Sequence, residues 1–394
     1  MSSNSGLNSI EKKAAFSIAL LIALRMYGLF LIMPVFSVYA KTLPNSTPLL
    51  IGLALGIYGL TQAFLQIPLG LASDFFGRKK ILTIGLLIFI FGSIIAALST
   101  TIYSVIIGRA IQGMGAIAST GMALVADVSR PEQRTKMMAT IGMSIGMAFM
   151  LAFITGPILF GYFGMSGLFW ITAGLASLAL VQLHVFVDEP KKHIAKGFSF
   201  KQFFHTLKDS RLIALDISVF VLHAVMTAVF VVLPLILVEQ LNFAASAHWK
   251  MYLPVLLISM LFFIPMIIIH EKRKKYFQFV SFALFGLASS QLMLGMFHSS
   301  LVLVAGMLVL YFAFFNFLEA AMPAMLSRIA GDKYRGAAMG GYSTSQFLGA
   351  FVGSSLAGLL MSSGYSHVFY GTALLVVISA VLLLVAANNK NQHL

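Results

Sequence analysis

The sequence predicts an all-α membrane protein: twelve transmembrane helices in two pseudo-symmetric six-helix bundles, with both termini cytoplasmic. Three observations predict it. Of 394 residues, 59% are hydrophobic and only 10% are charged, whereas a soluble domain is about 25% charged. Such a chain lacks the polar side chains to cover a water-exposed surface. Apolar runs recur, each near the roughly 20 residues needed to cross a hydrocarbon core of about 30 Å. Finally, of 26 lysines and arginines, all but Arg25, Lys41, Arg109 and Lys250 fall in the tails and in alternate loops, the bias that orients membrane helices.

That alternation also disposes of the class that a net charge of +14 first brings to mind. The basic residues fix topology, and no nucleic-acid partner is expected. The chain contains no cysteine, which excludes disulfides and thiolate metal sites. Ser2 to Lys13 is polar, and the run that follows is too long for a signal-peptide core, so it reads as the first helix.

In order, the predicted spans are 14–40, 47–72, 80–98, 101–126, 137–162 and 166–187, then 212–238, 250–270, 276–297, 301–326, 335–361 and 367–387. Spans two and three form a hairpin around Gly70 to Lys80, whose polar hinge carries Asp74, Gly77 and three consecutive bases. The basic stretch Arg130 to Lys136 separates spans four and five. The longest polar stretch, Asp188 to Arg211, divides the chain almost equally. In it Phe198, Phe200, Phe203, Phe204 and Leu207 recur at helical spacing, which reads as a short amphipathic helix on the cytoplasmic surface. A disordered linker is the alternative. The organisation expected is a bundle over 1–187, a linker over 188–211 and a second bundle over 212–394. Twelve spans leave residues only for short loops, and both termini on the basic side require an even number of crossings.

Ionisable side chains deep in a bilayer are costly, so their positions mark function. Away from helix ends they are Arg25 in span one, Arg109 in span four, Asp216 and His223 in span seven, and Glu319 in span ten. In a six-plus-six repeat these four spans are equivalent. At about 1.5 Å per residue, Arg25, His223 and Glu319 fall near the middle of the core, and Asp216 near its edge, where it is a further proton-coupling candidate that could meet interfacial water or pair with Arg211. Glu319 is the foremost proton carrier, because a carboxyl in apolar surroundings can be loaded and unloaded. Asn316 lies one turn before it, and Pro323 frees the backbone carbonyl of residue 319. The alternative is a permanent ion pair. His223 is a second titrating group, or else a hydrogen-bonded core histidine. Arg25 would bind an anionic substrate, hold a counter-charge, or pair with a carboxylate. Tyr58 with Gln62 and Tyr342 with Gln346 repeat one pattern in spans two and eleven; they are candidate substrate contacts or interhelical hydrogen bonds.

The pattern from Gly70 through Asp74, Gly77 and Arg78 to Lys80 resembles the signature loop of the major facilitator superfamily. Gly108 to Gly115, around Arg109, resembles the span-four motif of its proton-coupled members. Gly142, Gly146, Gly156-Pro157 and Gly161 resemble the antiporter motif of span five, with Phe160-Gly161 departing from its usual paired glycines. The wording of spans two, ten and eleven resembles the YajR-like group of the twelve-helix drug:proton antiporter family. The resemblance implies a secondary transporter of that fold. It implies that Asp74 faces the start of span eleven, near Tyr334, Arg335 and Gly336, as a conformational latch with Arg78 and Asp127. It also implies that Glu319 and His223 are protonation sites and that Arg109 takes part in proton handling. The chain ends at Leu394, so the cytosolic domain found after span twelve in that group is expected to be absent.

The expected function is therefore a proton-coupled efflux antiporter for small amphipathic compounds, working by alternating access in a bacterial cytoplasmic membrane. The alternative is a proton-coupled transporter of a specific anionic metabolite held by Arg25 and Arg109; a channel or receptor is a third class. Its partners would be a small-molecule substrate, protons and the lipid bilayer, and a monomer would suffice. No cofactor, metal site or catalytic residue is expected, since no nucleophile, metal cluster or phosphate loop appears.

Overall fold

The computed structural model describes residues 9–130, 133–187 and 200–388, and among them all regular structure is helical. The first half of the expected linker, 188–199 with Phe198, lies outside the described residues.

The first span is two pieces, α1 (Ser9–Leu31) and α2 (Phe36–Thr42), parted by a turn that contains Pro34. Next, α3 (Pro48–Phe76) starts with proline at its first turn and is capped by Thr47, whose hydroxyl accepts from the amide of Leu50. Gly77, at φ 94°, turns the chain directly into α4 (Arg78–Ala97). The fourth span is also broken, into α5 (Ile102–Met114) and α6 (Ala118–Val128). Then α7 (Arg134–Phe186) holds two spans joined only at Gly164, and α8 (Phe200–Thr206) is the short helix foreseen after the linker. Further on, α9 (Ser210–Leu235) continues into a π-helical turn, Ile236–Gln240. The chain ends with α10 (Trp249–Arg273), α11 (Tyr276–Met296), α12 (Leu301–Leu360) and α13 (Tyr365–Asn388). Like α7, α12 is two spans, turned at Gly331.

Among the described residues, eleven helical stretches are long and apolar enough to cross a membrane. One of them, Lys136–Phe186, has 51 residues; straight, it would reach about 75 Å, more than twice the hydrocarbon core. It folds back at Gly164 and crosses twice, which makes twelve. Gly164 (φ 63°, ψ −172°) and Gly331 (φ 63°, ψ 175°) occupy backbone space that only glycine enters without strain. No loop separates the fifth span from the sixth, or the tenth from the eleventh. Pro323 lies inside α12, yet the non-helical residue is Gly331.

Helices before residue 188 pack mainly on one another, α1 on α7, α4 on α5 and α7, and α3 on α5; α9, α10, α11, α12 and α13 do likewise. The chief contacts between the two sets are α3 on α12, α7 on α10 and α2 on α9. Small residues make the first of these possible. A Cβ added at Gly52 or Gly56 would collide with Ser354, and one at Gly59 with the carbonyl of Phe347. We expect Gly52→Val to force α3 and α12 apart at this end. Because the chain has no native cysteine, a cysteine placed at residue 354 reads the opening. Its labelling by a membrane-impermeant maleimide should rise several-fold in the valine variant, and equal labelling would mean that the seal does not depend on this contact.

Candidate functional site

The two sets of helices meet at one end and diverge at the other. At the closed end His248 is fully buried, its Nδ1 3.4 Å from the carbonyl of Pro34 and its Nε2 3.2 Å from that of Phe243. Lys41 reaches across to Glu239 at 2.6 Å, and the Tyr365 hydroxyl donates to the same carboxylate at 2.9 Å. Towards mid-depth, rings plug the seam: Phe153 of α7 stacks edge-on against Phe230, Tyr252 and Phe312, at centroid distances of 4.6, 5.8 and 6.4 Å. Among the described residues, every hydrogen bond and glycine contact recorded between the two sets lies at this end. Towards the end that carries Asp74 and the basic loops, the mid-span Glu319 side chain is 40% exposed; with the cross-contacts gathered at the other end, this points to a crevice on the basic side.

Glu319 sits on the open side of the plug, two turns beyond Phe312 on α12. Its side chain is 40% exposed, and its Oε2 lies 3.8 Å from Nε2 of His223. His223 is buried on α9, with Nδ1 3.3 Å from the Val219 carbonyl. Gln346 completes the group, its amide 2.7 Å from His223 Nε2. Tyr342 and Tyr311 are buried, their hydroxyls have no hydrogen-bond partner, and both lie within electrostatic reach of Glu319. Asn316 is partly exposed one turn away. Sequence reasoning missed Tyr311; its place two turns before Glu319 on the same helix face was the available signal.

Arg25 and Arg109 are not in the open crevice. Both are almost wholly buried and flank Tyr58. Arg25 Nη2 donates to the Tyr58 hydroxyl at 2.7 Å, to Gln62 Oε1 at 3.0 Å and to the carbonyl of Gly115 at 3.2 Å. That carbonyl belongs to the break between α5 and α6, and a freed backbone carbonyl at membrane depth needs a donor. Arg109 lies over the Tyr58 ring at 5.0 Å, donates to Gln112 at 2.8 Å and to the Leu55 carbonyl at 3.3 Å. Gln112 in turn donates to Ser93. Interhelical hydrogen bonding, one of the readings for Tyr58 and Gln62, is what the geometry realises for them, with Arg25 as the donor.

At the α3–α4 turn Arg78 is 1% exposed. It pairs with Asp74, holds Asp127 through Nε at 2.9 Å, and donates to Ser73 at 2.5 Å. Each charge sits at the helix end where the dipole opposes it: acids at the C-terminal ends of α3 and α6, the base at the start of α4. Their mutual pairing compensates all three. Gly70 lies close beside Ser119. Arg335 and Gly336 are exposed on the second limb of α12, and the ion pair recorded for Asp74 among the described residues is with Arg78.

The span-five glycines divide. Gly156 abuts the Leu31 carbonyl and Pro34, beside Pro157, whereas nothing stands within 4 Å of a Cβ at Gly142 or Gly146. Close packing occurs at Gly156 and at Gly161, where an added Cβ would meet Ser246, and not at Gly142 or Gly146. Asp216 lines a cavity whose wall includes neither His223 nor Glu319, although Tyr342 lies within electrostatic reach of both acids. Among the described residues no cluster of potential metal ligands occurs.

A sequence model of the Major Facilitator Superfamily matches residues 18–276 and 215–393. The chain is 39% identical over 385 residues to the inner membrane transport protein YajR of Escherichia coli K12, covering 96% of this chain and 84% of that one. It is 28% identical over 372 residues to the quinolone resistance protein NorA of Staphylococcus aureus, covering 88% and 90%. The crystal structure of a D-xylose-proton symporter superposes with a TM-score of 0.76 at 18% identity, covering 95% and 97% of the two chains, a likeness of fold.

Proposed function

The chain belongs to the Major Facilitator Superfamily and fits its YajR-like group, and from that premise we propose that it is a proton-coupled efflux antiporter for small amphipathic compounds, with Glu319 as the proton carrier. The observation that carries this reading is a half-exposed carboxylate at the floor of a crevice, 3.8 Å from a buried imidazole whose Nε2 also lies 2.7 Å from the Gln346 amide. Two bundles, 1–187 and 212–394, would rock about the Glu319 level, with both termini and the basic loops cytoplasmic.

The coupling follows from desolvation. With the crevice open, water solvates the Glu319 carboxylate. Closing the crevice over a bare charge costs several kcal/mol. Two events remove that cost: a proton on the carboxyl, or a cationic or polar group of the substrate against it. Proton and substrate then exclude one another, which is the condition for exchange. A proton reaching His223 Nε2 displaces the N–H of Gln346 and turns that bond towards Glu319, so the pair can pass a proton without unpairing both groups. As the open end closes, Asp74 would exchange part of its contact with Arg78 for the helix start near Arg335.

The reading as a carrier of an anionic metabolite draws on the two guanidiniums flanking Tyr58. It is the weaker one, because Arg25 already serves three protein acceptors. Proteoliposomes with an imposed pH gradient separate the two. Saturable movement of an amphipathic dye such as ethidium, coupled to opposite proton movement seen with an internal pH indicator, is expected. Gradient-driven flux of small carboxylates instead, lost in Arg25→Ala, would establish the second reading.

Hydrogen exchange across the closed end supplies a further check. Lys41 and Glu239 are 52% and 34% exposed, and an exposed pair contributes about 0–1 kcal/mol. Lys41→Ala should therefore raise amide exchange in α2 only a few-fold, and leave the seam around Phe153 protected.

A further inference from the structure

A cavity of about 460 Å³ lies between α8, α9, the second limb of α12 and α13, on the face that carries the basic residues. That volume is within the range of small-molecule sites. Its wall is apolar, with Ile213, Ile217, Phe220, Leu375 and Ile378 prominent, and α8 roofs it with Phe203 and Leu207. The roof is anchored: His205 stacks on Tyr334 at 4.4 Å, and Phe203 packs beside Gly341.

One charged side chain lines the chamber, and it is Asp216. Its Oδ1 is buried and has no hydrogen-bond partner. Besides the Ser345 hydroxyl, the other polar wall groups are engaged within the protein. Thr344 donates to the Gly340 carbonyl at 3.0 Å, and Ser379 to Ser218 at 3.0 Å. The nearest guanidinium along the chain, Arg211, is committed to Asp209 through Nη2 at 2.7 Å and Nε at 3.0 Å. An acid without a protein partner in an apolar chamber is complementary to a cation that brings its own apolar body. Phe203 and Phe220 add ring faces that favour an ammonium group.

We propose that this cavity is a second binding site, taking an amphiphile with a primary ammonium head: Asp216 holds the head and the chamber walls hold the first carbons of the tail. The site is separate from Glu319 and rests on none of the transport reading. Its ligand has two sources, a free alkylamine or the headgroup of an aminophospholipid.

The test uses the full chain in phosphatidylcholine nanodiscs with a diazirine-bearing dodecylamine, cross-linked peptides being located by mass spectrometry. Labelling is expected on 203–220 and 341–345. It should fall about tenfold in Asp216→Asn, the effect of losing one charge-assisted hydrogen bond. Leu375→Trp, which fills the chamber and keeps the carboxyl, should lose it too. Both variants are first shown to elute as single species with unchanged melting temperature. The matching dodecanol probe should label wild type and Asp216→Asn equally and weakly. Equal amine labelling of wild type and Asp216→Asn, or alcohol labelling as strong as amine labelling in the wild type, overturns the proposal. Adding phosphatidylethanolamine to the discs then names the source. Loss of labelling upholds the site with the lipid headgroup as occupant; unchanged labelling upholds it with free amines.

Discussion

Replacing Glu319 by glutamine is expected to abolish gradient-driven accumulation while leaving exchange intact. A gradient of one pH unit stores about 1.4 kcal/mol for each proton exchanged, enough for about tenfold accumulation of substrate. The intact protein should approach that ratio in proteoliposomes, and E319Q should stay at about one. Glutamine keeps the shape of the side chain and removes both the charge and the exchangeable proton. The crevice then closes without either cargo, so passive counterflow of labelled dye against unlabelled dye should persist. That persistence separates a coupling defect from a folding defect. Equal gradient dependence in both proteins would show that the carrier is some other group.

The second large effect concerns stability. Arg78 is 1% exposed and joins Asp74, Asp127 and Ser73. Arg78→Ala takes the guanidinium from two acids at once, one of them with a fully buried side chain. Removing one partner of a buried ion pair costs about 3–5 kcal/mol. A marked drop in melting temperature and in membrane yield is expected. Arg78→Lys keeps the charge and loses the fork that reaches both acids, so it should fall between the two. The double variant Arg78→Leu with Asp127→Leu should recover part of the loss, because the fully buried Asp127 charge goes with its partner and only the partly exposed Asp74 is left unpaired. A single Arg78→Ala protein as stable as wild type would reduce the cluster to topology alone.

Much of this was legible in the chain. Apolar runs and alternating bases gave the number of spans, because the bilayer sets a length and the loops set an orientation. The costly residues Glu319 and His223 were found by their rarity, and they meet. What escaped has a common cause. In α9, 94% of the apolar window is buried within the protein, and in α10 only 22%, yet both are run through with the same kinds of side chain. Lipid is as apolar as a protein core, so hydropathy cannot tell the two apart. For the same reason Arg25 and Arg109 were read as facing a cavity, when they lie behind it. The breaks at Pro34 and at Gly115 were hidden inside runs of unbroken apolar character. Lys41 and Glu239 were visible only as lone charges in otherwise neutral loops, a pattern that points to a partner without naming it.

The turn at Gly331 carries a mechanical consequence. Glu319 lies before it and Gln346 after it, on one helical rod whose only non-helical residue is that glycine. The same distal limb bears Phe351 and Ser354, against which Gly52 and Gly56 close. A change of charge at the crevice floor and the tightness of the far seam are thus written on a single lever with no slack in its elbow. Lengthening that elbow by inserted flexible residues should let protons load without moving the seam, turning a coupled machine into one that idles.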